Sequence, residues 1–247
     1  MTVMENQIIL SPDDLIKHWL LNLAAEVPAP LVLIFPEVAC EALNVRNIPG
    51  RGPEDYAKAL IVLFNSGMIQ FSSETPADDV KTEAGISRVL DRFLEFSKDD
   101  SLPLSVGPPP YGRSRLPGMQ VSFELTSRGG NAWEKVAQPN WTHIFTESSD
   151  SMSGELTSPN RDLLMAYMGW YPKLHEQQIT LESIRWQTHP DFKVLYWKPL
   201  PLVYQVSFSL KPGEARWISS PKWFQDWWLS VVSWYKKPWE LAGWPSE

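Results

Sequence analysis

Twenty-two prolines are scattered along the 247 residues. Proline fixes φ and has no N–H to donate, so it is disfavoured in helix interiors and central strands. A chain punctuated this often is built from many short elements, with prolines at helix starts and in turns. The length accommodates two modest domains. With 43% apolar and 21% charged residues, the composition is that of a globular protein with a packed core. Helical and strand patterns both occur, so the fold class expected is α+β.

Ser11-Pro12-Asp13-Asp14 has the chemistry of a helix start: a capping hydroxyl, proline in the first turn, and two carboxylates at the positive end of the dipole. Leu15, Ile16, Trp19, Leu20 and Leu23 then recur at helical spacing until Val27-Pro28-Ala29-Pro30 ends the run. LVLIF is a short apolar segment, and 36–43 reads as a second helix. Pro53 opens a third, with Tyr56, Leu60, Leu63 and Phe64 on one face and Gly67 placed for a left-handed cap. MIQFSS and MQVSFELT read as strands. Between them lie a helix over about 80–96 and the proline-rich loop GPPPYGRSRLPG, expected to be exposed and extended.

Asn65-Ser66-Gly67-Met68-Ile69 and Leu125-Thr126-Ser127-Arg128-Gly129-Gly130-Asn131-Ala132-Trp133-Glu134 resemble the helix-to-strand and strand-to-helix junctions of bacterial winged-helix regulators. Thr126 or Ser127 caps the second helix in that reading, and Trp133 packs on the core. The resemblance spans roughly residues 11–145. It implies a winged-helix-like N-terminal domain over 1–147, its wing enlarged by an insertion of about 74–118. A small Trp-rich α+β domain over 148–247 follows. Thr146 to Ser158, rich in serine and poor in apolar residues, reads as a linker between them.

DNA binding by such a domain would place the third helix in the major groove, with Arg46, Arg51, Arg113 and Arg115 as the phosphate and base contacts. The charge runs the other way. Through Asp150 there are 12 Lys+Arg against 20 Asp+Glu, a net of −8, whereas the remainder is near neutral. DNA binders draw most of their affinity from phosphate neutralisation, and Glu54 and Asp55 sit where phosphates would approach. The expected role is therefore a non-catalytic interaction with a basic protein partner, with Glu54, Asp55, Asp78, Asp79, Asp99 and Asp100 as candidate contacts. An acidic immunity-type inhibitor of a nuclease is one form of this role. A DNA-binding regulator is the first alternative and an enzyme without a familiar motif the second.

In the second half, a helix is expected from Ser158-Pro159, and VYQVSFSL alternates as a half-buried strand does. Seven of the 13 tryptophans fall from Trp217 onward. Ser220-Pro221 opens a helix there, and Trp223, Trp227, Val231 and Trp234 are expected to form its buried face.

Catalytic signatures are sparse. The four histidines, His18, His143, His175 and His189, form no zinc-protease, nucleophile-elbow or phosphate-loop motif. His175-Glu176 and His189-Pro190-Asp191 are the one pairing with acid–base or metal potential, and both read as surface or turn residues. The single cysteine, Cys40, excludes an intrachain disulfide and reads as a buried thiol. No cofactor is implied. The opening MTVMENQIIL lacks a basic segment, and no apolar run reaches the roughly 20 residues of a membrane span, so the expectation is a cytoplasmic protein without membrane attachment.

Overall fold

The computed structural model describes residues 10–34, 48, 50–73, 80–96, 121–175, 177–213 and 222–237. The protein mixes helices and antiparallel sheets, an α+β fold. It divides into two compact units, one of Met1–Ala137 with Lys237–Glu247 and the other of Gln138–Lys236. The second helix read at 36–43, Cys40 and the proline-rich loop lie outside the described residues.

Helix α1 (Pro12–Leu23) opens the first unit. The Ser11 hydroxyl accepts the Asp14 N–H, and Ile16, Trp19, Leu20 and Leu23 are buried, as the spacing predicts. Strand β1 (Ala29–Pro30) runs into a 3-10 turn, Leu31–Ile34, that is buried throughout. Helix α2 (Pro53–Asn65) ends at Gly67, whose φ of 68° lets its N–H reach Phe64 O and the next N–H reach Leu63 O. These bonds satisfy carbonyls that the last turn leaves open.

The chain then enters β2 (Ile69–Ser73). After helix α3 (Glu83–Phe96) comes β3 (Val121–Leu125), which lies between β1 and β2 in an antiparallel sheet of order β1-β3-β2. Helix α4 (Ser127–Ala137) follows directly. Thr126 caps it, accepting from Gly129 N while donating to Gly67 O, so one hydroxyl ties this helix start to the end of α2. Trp133 is fully buried, and its indole N–H donates to Asn22 on α1 at 3.2 Å.

In the second unit the stretch read as a linker is a hairpin. Strand β4 (Thr146–Ser149) pairs with β5 (Ser153–Ser158), and the Asp150 carboxylate closes the turn by accepting the N–H groups of Met152 and Ser153. Its polar composition misleads because β4 is exposed at all four residues. On β5, Leu156 fills the core while Gly154 faces Phe208 so closely that a Cβ would collide with the ring.

Helix α5 (Arg161–Leu174) starts at Asn160, which accepts from the N–H groups of Asp162 and Leu163; Ser158, expected at the helix start, ends β5 instead. Short β6 (Gln177–Ile179), a 3-10 turn at Leu181–Ser183 and β7 (Arg185–Leu195) lead to β8 (Lys198–Pro212), the central strand. Val206 pairs with Leu156 of β5 on one side and Trp186 of β7 on the other. Residues of β8 alternate as the sequence predicts: Val206, Phe208 and Leu210 join Leu156, Leu164, Tyr167 and Tyr171 in the core.

Helix α6 (Lys222–Val232) only partly follows its expected face. Val231 is buried and Trp227 half-buried; Trp234 is buried but lies beyond the helix, and the Trp223 side chain is outside the described residues. The contact on the core comes from Trp228, whose ring stacks on Tyr167 at 5.1 Å. No helix among the described residues is long and apolar enough to cross a membrane.

Candidate functional site

Of the acidic residues singled out from sequence, Asp78, Asp79, Asp99 and Asp100 lie outside the described residues, as do Arg46, Arg113 and Arg115. Glu54, Asp55 and Arg51 are placed, at the start of α2. The Asp55 carboxylate reaches back to accept the Gly52 N–H at 3.3 Å, the half of a capping box that the third helical residue supplies, while the Asp55 N–H donates to the Gly52 carbonyl at 3.0 Å. Arg51 lies 3.4 Å from Asp13 on α1 and 3.9 Å from Asp55, so one guanidinium bridges the first turns of two helices. Glu54 faces solvent. Lys17 is likewise matched, with Asp14 at 3.0 Å.

The three histidines of the second unit do not converge on one another. His189 Nε2 lies 2.6 Å from Gln205 Oε1 across the β7–β8 pair, and His143 Nδ1 lies 3.1 Å from Ser230 O. His18 is buried within the first unit, and that burial pulls its pKa down to about 4. Among the described residues no group of three or more His, Cys, Asp or Glu is arranged to hold a metal ion.

His175 belongs to a different constellation from the one the sequence offered. Tyr167 Oη donates to Glu147 Oε2 at 2.6 Å, and His175 Nε2 stands 3.1 Å from the same hydroxyl and 3.4 Å from Glu147 Oε1. Tyr171 stacks on the imidazole at 4.2 Å. Burial, reinforced by the Glu147 carboxylate, raises the Tyr167 phenol well above its ordinary value, and burial also raises Tyr171. A phenol so disposed is a hydrogen-bond donor at neutral pH, not a phenolate nucleophile. The cluster fastens the end of α5 to β4. Glu147 was hidden in the supposed linker, while Tyr167, Tyr171 and His175, spaced four apart, carried a visible stripe.

On the opposite face of the same sheet is an open groove of about 450 Å3, lined by six serines with Asp150, Gly154, Glu155 and Phe208. Ser148, Glu155, Ser207 and Arg185 occupy successive positions of one cross-strand row, and Ser153 pairs with Ser209 in the row two residues along. Asp150 is spent on its turn, whose N–H groups hold its carboxyl below the usual range. Neither His175 nor His189 lines the groove. No protein-family model, curated protein or solved structure matches the chain.

Proposed function

We propose that the chain is a non-catalytic interaction protein, built on a winged-helix-like first unit and acting on a basic protein partner. The order β1-β3-β2, with α2 leading into β2 and α4 leaving β3, supports the winged-helix reading, and α3 stands where the wing is enlarged. The observation that carries the functional reading is the state of Arg51. It is drawn into ion pairs with Asp13 and Asp55, so the start of α2 offers a phosphate backbone a neutralised cation beside the exposed Glu54. Nucleic-acid affinity depends on cations that exchange condensed counterions for phosphate contacts, and this helix start reverses that balance. Neutralisation of a basic nuclease, as an immunity-type protein performs, is the concrete form proposed.

Two measurements test it. Anisotropy of a labelled DNA duplex at low salt should not change with the full chain. Binding that falls steeply with added salt and is weakened by Arg51→Ala would revive the regulator. Crosslinked co-purification from the encoding organism should return a basic protein with the parent chain. That protein should be lost with Glu54→Lys while the variant still melts cooperatively, its midpoint lowered only by the small cost of a cation at a helix N-terminus, and retention by this variant removes the start of α2 from the contact.

A further inference from the structure

We infer that the groove on the second unit's sheet is a binding site for a guanidinium group, presented by an arginine of a protein partner. That the arginine comes from a basic protein rests on the function proposed above; the chemistry of the groove does not.

Side chains directly opposite one another on antiparallel strands lie about 5 Å apart on the same face. The register therefore sets the carboxylate of Glu155 between the hydroxyls of Ser148 and Ser207. Glu155 is exposed, and its carboxylate forms no hydrogen bond or ion pair with the described residues. The row's fourth member, Arg185, does not fill the place: its Nη1 donates to the carbonyls of Glu182 at 2.8 Å and Ile184 at 2.9 Å, held back against the turn that precedes β7. No lysine or arginine lines the groove. An anion meets the Glu155 charge with no cation to offset it, whereas a cation meets one uncommitted carboxylate with acceptors on both sides.

A guanidinium matches that row better than an ammonium. Its planar fork gives two parallel N–H bonds to a carboxylate, and the outer N–H groups then reach towards the flanking hydroxyl oxygens. An ammonium is a compact, strongly hydrated charge with three donors and loses more solvation for fewer directed bonds. The groove exceeds one side chain in volume. The two turns that bound it carry exposed apolar groups, Met152 at 74% and Leu181 at 73%, available to the arginine stem and its neighbours.

The test uses the full chain, 15N-labelled, titrated with N-acetyl-arginine amide and, in parallel, with the lysine and citrulline amides. Expected are saturable amide shifts centred on Glu155, Ser207 and Ser209 with arginine, weaker ones with lysine and none with neutral citrulline. Glu155→Gln should weaken arginine binding by about tenfold or more, the effect of losing charge-assisted hydrogen bonds. Glu54→Gln should leave it unchanged. Shifts that persist in Glu155→Gln, spread over the acidic surface or follow lysine equally would overturn the site. Failure is separable from failure of the proposed function. A basic partner captured equally by parent and Glu155→Gln removes the groove and leaves that function standing. Arginine amide bound at Glu155 with no basic partner recovered does the reverse.

Discussion

Tyr167 donates its hydroxyl to Glu147 Oε2 at 2.6 Å, and through this bond the middle of α5 is joined to the edge strand β4. The same ring carries Trp228 stacked on it and Phe145 tilted against it at 4.7 Å, so α6 and the segment entering β4 depend on its position as well. Hydrogen bonds to ionised acceptors contribute about 1.5–3 kcal/mol, and partial exposure of Glu147 places this one at the lower end. Tyr167→Phe should lower stability by about 1.5 kcal/mol in urea unfolding, and a variant as stable as the parent would reduce the bond to an ornament. In ultraviolet pH titration, Tyr167 and Tyr171 should be late to ionise, because the fold favours the neutral phenol of each. That contribution to stability is complete below the ordinary phenol pKa and is lost as pH climbs through the raised value.

Trp228 is the tryptophan on which α6 depends. It reaches the core of the second unit at Tyr167 and Phe145, whereas Trp227, one residue earlier, is the position that helical spacing alone would choose. Truncating a fully buried aromatic costs about 3–5 kcal/mol; for half-buried Trp228, Trp228→Ala should cost about 2–3 kcal/mol. Calorimetry of Trp228→Ala beside Trp227→Ala decides between the two, and a larger loss at Trp227 would restore the helical-face expectation.

Features encoded within a few residues were legible in the sequence. Ser11 caps α1, Gly67 takes positive φ after α2, Thr126 opens α4, and the alternation from Tyr204 to Leu210 marks β8. Features set by distant pairing were not. Strand β4 carries no apolar residue because it lies at an edge and is exposed, so its composition matches that of a linker. Strand β7 was missed because Pro190 and Asp191 interrupt it; Asp191 has φ of 50°, yet Pro190 still aligns with Leu202. The groove escaped for the same reason. Ser148, Glu155 and Ser207 are adjacent only once three strands are in register, and no local pattern announces register.

Two glycines in helices should respond oppositely to alanine. At Gly129, in the first turn of α4, a Cβ would be driven into the carbonyl of Met68, the same oxygen that accepts the Thr126 N–H at 3.0 Å. Relief requires moving backbone, so Gly129→Ala should cost about 3 kcal/mol or prevent soluble expression. Gly169, within α5, has open space where its Cβ would stand. Gly169→Ala should raise stability by about 0.5–1 kcal/mol through the reduced freedom of the unfolded chain. Equal responses in thermal melts would mean that the packing of α4 on the Met68 turn is looser than the geometry requires.

His18 should make the first unit sensitive to mild acid. The ring is 4% exposed on α1, and burial disfavours its charged form, placing its pKa at about 4 against 6.5 for a free histidine. Between those values the unfolded chain takes up a proton that the folded chain refuses, so stability falls as pH drops from 6.5 towards 4 and this term changes no further below that. At 1.36 kcal/mol per pKa unit the full loss is on the order of 3 kcal/mol. Urea midpoints at pH 7.5 and pH 5 should therefore converge in His18→Leu relative to the parent, although the variant loses packing at both. Every other ionisable group is common to both proteins, so the difference between their pH slopes isolates this ring. If the two slopes coincide, the acid sensitivity of the fold originates elsewhere and the buried imidazole is protonated at no greater cost than in the unfolded chain.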